Sequence, residues 1–402
     1  MVPPNIRARV MAEAWLSIIG LGENGLAGLS SASRLALSEA EIVFGGPRHL
    51  SLAGVAGRAW DVPFSVAPVL AERGKRVAVL ASGDPFWHGV GGTLLAHLRA
   101  DEWVSYPFPS TFSLATNQLG WRMEEVICLG LHAAPLTRLR SVLARGQKVI
   151  CLLRDGAAVG ELAKYLETHG FGESMLHVLE CLGGPRECRV KINPQEVDKS
   201  VFSGPVAVAI DCVGKGISRS SGLPDELFNH DGQITKQSVR ALTLSALAPC
   251  GGDVMWDLGA GSGSVSIEVL LAAPGSVVHA VEADAARGVR ATGNADAFGV
   301  AHRWHLHHGK AMDMLGNLPV PDVVFIGGGA SDALLDALWP LLPEGARLVI
   351  NAVTLETEAL LYAWHGKKNG RLLRIDLAEA GVLGSKRGWK SSRPVVQWSV
   401  VK

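Results

Sequence analysis

Residues 254–270 read "VMWDLGAGSGSVSIEVL". A short apolar run carries Asp257 near its end, glycines follow at 259, 261 and 263, and an apolar helical pattern begins near Ser264. The next strand-like run, "SVVHAV", leads to Glu282, nineteen residues after Gly263. Glycines at such a turn let the backbone approach a ligand closely. An acid closing the second strand can accept hydrogen bonds from both hydroxyls of a ribose. The pattern is that of a nucleoside-binding, doubly wound α/β sheet, and it does not by itself separate a dinucleotide from another adenosine ligand.

Two features tilt that choice. Asp257 stands just before the loop, where a dinucleotide would bring its pyrophosphate, whereas S-adenosylmethionine (SAM) has no phosphate and carries an ammonium that a carboxylate suits. Near the end of the chain, "RLLRIDLAEAGV" and "PVVQWSVV" read as an antiparallel hairpin with "LGSKRGWKSSR" as its loop. Together these resemble the Rossmann-like, seven-stranded fold of the class I SAM-dependent methyltransferases. The resemblance implies SAM contacts at Asp257, Gly259, Gly261, Gly263 and Glu282, with backbone contacts to the adenine from Gly309 and Ala311. Members of that fold often carry an acid near the adenine, and here Lys310 holds the place. The run "PDVVFIGGGAS" (321–331) is expected to end at the same crevice, with Gly327 and Gly328 leaving room for a bulky substrate. A tight strand-to-helix turn is the other reading of those glycines, and the two are compatible.

Around this stretch lies a chain of 402 residues, 48% hydrophobic and 19% charged. That is enough for two domains of about 200 residues and is not the composition of a disordered chain. Lys+Arg and Asp+Glu both number 38, so there is no electrostatic footprint for nucleic acid or for an anionic membrane. No apolar run approaches the roughly 18 residues that span a bilayer. The first twenty residues, "MVPPNIRARVMAEAWLSIIG", show neither a long apolar segment nor a small-residue cleavage site. Six cysteines without C-x-x-C spacing read as reduced thiols, which places the expected compartment in the cytoplasm. The expected partner is a small molecule, and the expected assembly a homo-oligomer.

Strand-like runs alternate with helical patterns throughout, which argues for α/β architecture with mostly parallel sheets. The stretch "DCVGKGISRSSGLPDELFNHDGQ" (211–233) breaks the alternation and reads as linker and lead-in. The domains are therefore expected at 12–213 and 223–402, with 214–222 between them.

In the first domain, "IIGLGENG" (18–25) sets Gly20, Gly22 and Gly25 at the G-x-G-x-x-G spacing of a dinucleotide site. Such a site starts its helix at the third glycine. Here Ser30 is the best N-cap, which predicts a helix over Ser31–Ser38, and the following run "EIVFGGPRH" ends without a ribose-binding acid. The dehydrogenase reading fails on both counts. Next comes "VAVLASGDPFWHGVGG" (77–92), in which a strand runs into Ser82, Gly83, Asp84 and Pro85. With "YPFPSTFSLATNQLGW" (106–121) and "CLGGPRECRV" (181–190), these four loops, in this order, resemble the tetrapyrrole methylases. That resemblance implies a SAM cleft between two α/β subdomains, with contacts from Gly20, Gly22, Ser82, Gly83, Asp84, Ser110, Thr111, Gly184 and Pro185.

One chain carrying both halves resembles the bifunctional precorrin-6Y C5,15-methyltransferases (decarboxylating) of cobalamin biosynthesis. "FGGPRHL", "GLPDELFNHDGQITKQSVRA", "NAVTLETEALL" and the closing "RPVVQW" extend that resemblance along nearly the whole chain. It implies methylation of a precorrin-6 intermediate at carbon 5 by the first domain. The second domain would methylate carbon 15 and decarboxylate the ring C acetate to give precorrin-8. Two SAM sites per chain and no metal follow. A two-domain methyltransferase or binding protein acting on another tetrapyrrole is the alternative.

Asn351, His230 and Lys236 are the catalytic candidates. For His230, Asp231, Gln233 and Lys236 a second reading stands, a turn at Asp231 and Gly232 with Thr235 capping "KQSVRALTLSAL". The substrate bears many carboxylates, so Lys386, Arg387, Lys390 and Arg393 are candidates to hold it, with Trp389 to stack on its flat face. A solvated charged loop is the rival reading. "HRWHLHHGK" (302–310) alternates histidines without second-row acids, and no metal site is expected there.

Overall fold

The computed structural model describes residues 14–402. The expectations on the first twenty residues and on a domain start at residue 12 therefore fall wholly or partly outside the described residues. Two compact units divide the chain, one of residues up to 136 with 143–215, the other of 137–142 with 216–402.

The first unit holds two five-stranded sheets. Strands β1 (Leu16–Leu21), β2 (Ile42–Gly45), β3 (Arg58–Ala59), β4 (Val77–Ser82) and β5 (Trp103–Tyr106) form the first, in the order β3-β2-β4-β1-β5 and parallel throughout. Leu16, Ile18 and Ile19 of β1 are fully buried, as a near-continuous apolar run in a sheet covered on both faces should be. The predicted helix Ser31–Ser38 forms, with Ser30 Oγ accepting the Ser33 N–H at 3.1 Å. Between Gly25 and that cap lies a single 3-10 turn, Gly25–Gly28.

Parallel pairs prevail in the chain as expected, and the second sheet is the departure from them. It contains β6 (Val126–Gly130), β7 (Lys148–Leu152), β8 (Met175–Glu180), β9 (Cys188–Ile192) and β10 (Val206–Asp211), in the order β6-β7-β10-β8-β9. Only β6 and β7 are parallel. The link from β8 to β9 is too short for a crossover helix, which forces an antiparallel return.

The second unit is built on one seven-stranded sheet. Its strands are β11 (Val254–Leu258), β12 (Val277–Glu282), β13 (Trp304–His308), β14 (Val323–Ile326), β15 (Arg347–Ala352), β16 (Arg371–Ile375) and, after the ribbon β17 (Ala378–Leu383) and β18 (Lys386–Ser391), β19 (Val395–Val401). The order is β13-β12-β11-β14-β15-β19-β16, with β19 antiparallel to both neighbours. Side chains alternate between two buried faces. Met255, Val278, Phe325 and Val349 lie on one, Trp256, Val281, Ile326 and Ile350 on the other. Burying each such side chain fully contributes roughly 1.5–3 kcal/mol.

The run expected as a hairpin loop is itself structured. β17 and β18 form a separate two-stranded ribbon, so the pairing of "RLLRI" with "VVQWSVV" holds while the stretch between them is not a loop. The lead-in, too, is ordered. Arg240, fully buried, donates to Glu268 at 2.5 Å and Asp225 at 3.1 Å, and to the carbonyls of Leu223 and Thr235. Glu268 in turn accepts the N–H groups of Gly222 and Leu223 at 2.7 and 2.8 Å.

Candidate functional site

Each unit carries its own cavity. The larger, about 1180 Å³, opens at the carboxyl edge of the seven-stranded sheet. Adjacent strands β11 and β14 bring two glycine loops face to face there. Gly259 has φ +78°, and a Cβ on it would lie 3.0 Å from the Gly328 carbonyl oxygen. Glu282, at the tip of β12, accepts the Gly261 N–H at 2.8 Å and the Asp284 N–H at 2.9 Å, which fixes its carboxylate at the cavity wall. Gly259, Gly261, Glu282, Gly309, Ala311, Gly327, Gly328, Lys236, Asn351 and Arg393 all line this space, and so does Lys310.

The remaining expected residues lie elsewhere. Asp257 is 1% exposed and sits beneath the loop, accepting from Ser266 Oγ. Burial, with a smaller push from the Glu282 charge, raises its carboxyl to about 7. Gly263 serves packing, since a Cβ would lie 3.0 Å from the Trp304 ring and 3.2 Å from Ala291. The His230 ring accepts the Gly232 N–H at 2.9 Å and Asp231 accepts the Gln233 N–H at 3.0 Å, so this segment is the turn of the second reading. Thr235 does not cap the helix: Gln237–Leu247 starts after Lys236, with no side-chain cap. Lys236 itself faces the cavity and pairs with Asp225 at 3.4 Å. Lys386, Arg387, Trp389 and Lys390 belong to β18, away from the lining, and Trp389 is 78% exposed. Arg393 alone of the basic quartet reaches the cavity.

Behind Asn351 stand two residues that sequence reasoning missed, Thr243 and Gln397, both buried and hydrogen-bonded to its carboxamide. The available signal was a glutamine near the middle of the largely apolar strand "VVQWSVV".

The smaller cavity, about 390 Å³, lies within the first unit between its two sheets. Gly22, Ser82, Gly83, Asp84, Ser110 and Thr111 line it. Asp84 Oδ1 accepts the Phe86 N–H at 2.9 Å and holds the loop after β4 in its turn. Ser110 Oγ caps the helix Thr111–Leu119 by accepting the Ser113 N–H at 3.1 Å. Gly20, Gly184 and Pro185 are not part of the lining. A Cβ on Gly20 would lie 2.0 Å from the Gly83 carbonyl oxygen, and one on Gly184 would lie 2.4 Å from Glu23 Cβ, so both glycines permit close packing behind the wall.

Sequence reasoning also missed the cluster Glu23, Arg48, His49 at this cavity, although "FGGPRHL" contains its two basic members. Arg48 pairs with Glu23 and donates from Nη2 to Ser82 Oγ at 3.0 Å and to His49 Nε2 at 3.1 Å. An arginine can only donate, so Nε2 is the acceptor and His49 is neutral. Burial, then the Arg48 charge, holds it down at about 4.

In the "HRWHLHHGK" stretch, His305 and His307 share a face of β13 with His279 of β12, with His279 Nδ1 and His307 Nε2 3.0 Å apart. Among the described residues no three His, Cys, Asp or Glu side chains are grouped to hold a metal, and no helix is long and apolar enough to cross a membrane.

Residues 16–197 match the family described as tetrapyrrole (corrin/porphyrin) methylases, and residues 226–402 that described as precorrin methyltransferase domain. The chain is 43% identical over 402 residues to a precorrin-6Y C(5,15)-methyltransferase (decarboxylating) of Sinorhizobium sp, covering 96% of each. It is 38% identical to the protein of that name from Mycobacterium tuberculosis, over 96% of this chain and 99% of the other. Among solved structures, the C-terminal domain of precorrin-6Y C5,15-methyltransferase from Rhodobacter capsulatus is 49% identical over 46% of this chain and 100% of its own, with a TM-score of 0.45.

Proposed function

Because the chain belongs to the precorrin-6Y C5,15-methyltransferases (decarboxylating), we propose that it methylates a precorrin-6 intermediate at carbons 5 and 15 and decarboxylates the ring C acetate, giving precorrin-8. The observation that carries this reading is the presence in one chain of two separate cavities, each walled by the glycine loops of a different methyltransferase fold. We assign carbon 5 to residues 12–213 and carbon 15 with decarboxylation to residues 223–402, with 214–222 as linker. Each cavity takes one SAM, so the chain has two, in a cytoplasmic homo-oligomer whose partner is the tetrapyrrole.

The residues present fit that ligand. At the larger cavity, a Cβ on Gly259 would close on the Gly328 carbonyl, and the Glu282 carboxylate keeps lone pairs for ribose hydroxyls beyond its two backbone donors. Bound there, SAM supplies a methyl group on an electrophilic sulfonium. A meso carbon of a reduced tetrapyrrole is already nucleophilic, so what the protein must supply is alignment at contact distance. Gly327 and Gly328 leave the space for the macrocycle, and Lys310 and Arg393 offer charge to its carboxylates. His230, Lys386, Arg387 and Trp389 have no part in this reading. Methylation at carbon 15 leaves an iminium conjugated toward ring C, which can accept the electron pair released with CO2. The substrate therefore provides its own electron sink, and the reading assigns no metal.

The test supplies labelled SAM and precorrin-6 to the full chain and follows methyl transfer and CO2 release. Gly259→Asp forces a side chain into a left-handed backbone facing Gly328, and is expected to abolish methylation at carbon 15 together with CO2 release while carbon 5 is still methylated. Asp84→Ala is expected to do the converse. Calorimetry should count two SAM sites in the parent chain and one in each variant. Wild-type protein that transfers no methyl and releases no CO2 would sink the reading.

A further inference from the structure

At the carboxyl end of β15, Asn351 opens into the larger cavity while its carboxamide is held from behind. Asn351 Nδ2 donates to Thr243 Oγ1 at 2.8 Å, and Asn351 Oδ1 accepts from Gln397 Nε2 at 3.0 Å. Gln397, the register partner of Asn351 on β19, gives its other N–H to Thr243 Oγ1 at 3.3 Å. The Thr243 hydroxyl itself donates to the Val239 carbonyl at 2.8 Å. With that proton spent, Thr243 Oγ1 can only accept, which fixes which end of each carboxamide is nitrogen. Thr243 and Gln397 are 0% and 2% exposed, so water cannot take their places. The second N–H of Asn351 has no acceptor among the described residues, and Asn351 lines the cavity.

We propose that Thr243 and Gln397 are positioning residues that hold this N–H as a fixed donor to one carboxylate oxygen of the substrate, that of the acetate lost as CO2. The inference rests on the function proposed above. Loss of CO2 requires the C–CO2 bond to stand along the π orbitals of the macrocycle, and one donor on one oxygen sets that torsion. A neutral amide suits the task better than Arg or Lys. A cation would stabilise the carboxylate in the ground state and oppose its loss, whereas the amide orients it with less stabilisation. In the step itself the C–CO2 bond breaks, its electron pair enters the iminium made at carbon 15, CO2 leaves, and the former acetate carbon takes a proton from water.

The experiment counts CO2 released per methyl gained at carbon 15, using the full chain, labelled SAM and precorrin-6 carrying label in the ring C acetate. Wild type is expected to give a ratio of one. Thr243→Val and Gln397→Leu are expected to lower it at least about twofold, and Thr243→Ser to restore it. A role confined to folding would lower both products together and leave the ratio at one, which overturns the proposal. A second readout is independent of turnover. In side-chain amide NMR of the full chain, the Asn351 Nδ2 nitrogen and its hydrogen-bonded proton should resonate away from free-carboxamide values, and should return toward them in Thr243→Val. Free-carboxamide shifts already in wild type overturn the clamp. If wild type shows no turnover of precorrin-6, the proposed function fails and the amide spectrum alone decides the clamp.

Discussion

Asp257 and His49 show how burial reverses what a side chain's identity suggests. Asp257 is recognisable in the sequence as the acid before the glycine loop, but its spacing could not say that the carboxyl points into the core toward Ser266 rather than toward a ligand. Its carboxyl, ordinarily near 3.8, stands at about 7 in the folded chain. Between those values the folded state binds more protons than the unfolded one, so stability falls as pH rises through the window and the loss is complete above about 7. Ionised Asp257 then costs on the order of 4 kcal/mol. Asp257→Asn is expected to raise the thermal midpoint at pH 8 and leave it nearly unchanged at pH 4, as calorimetric scans at the two pH values would show. His49 runs the other way. Its folded pKa of about 4 lies below the ordinary 6.5, so the unfolded state binds the extra proton and stability is lost as pH falls from 6.5 toward 4. Scans of His49→Gln across that range should show a shallower acid slope than wild type.

Elements were legible where their signal is local. The Ser30 cap, the helix after it and the long alternation in the second unit all followed from side-chain pattern, because capping and periodicity are read within a few residues. β8, β9 and β10 escaped, since antiparallel order in that sheet is set by pairing at a distance that no local period reveals. The ribbon β17–β18 escaped because its charged, glycine-containing sequence is also what a loop would carry. Val382 and Trp389 on it are 88% and 78% exposed, so it adds little to the core. Replacing residues 378–391 by a short turn is expected to leave the thermal midpoint of the second unit within about 2 °C. The glycine loops behave oppositely. Gly20→Ala puts a methyl against the Gly83 backbone, which cannot swing aside as a side chain could. Calorimetry should show the SAM site of the first unit weakened at least tenfold and that of the second unchanged.

At the scale of the molecule, the sequence announced two catalytic folds in series, and the family matches at 16–197 and 226–402 follow that division. What it hid was how the second unit begins. The run 211–233 lacks periodicity, and so read as linker, because its order comes from a single buried arginine and not from its own pattern. Removing that arginine leaves Glu268 buried without its partner, a loss of about 3–5 kcal/mol. Arg240→Ala is therefore expected to lower the unfolding transition of the second unit by many degrees while leaving that of the first in place, as separate transitions in a calorimetric scan would report. The same contact decides where the gene can be divided. A coding sequence opened at residue 223 would discard the Gly222 N–H that Glu268 accepts, and with it Ile217, which packs on the core. Opened at 216, it would carry its own first turn of structure with it. The natural joint for recombining this half with another enzyme lies ahead of the serine-rich stretch, in a place that composition alone would have cut through.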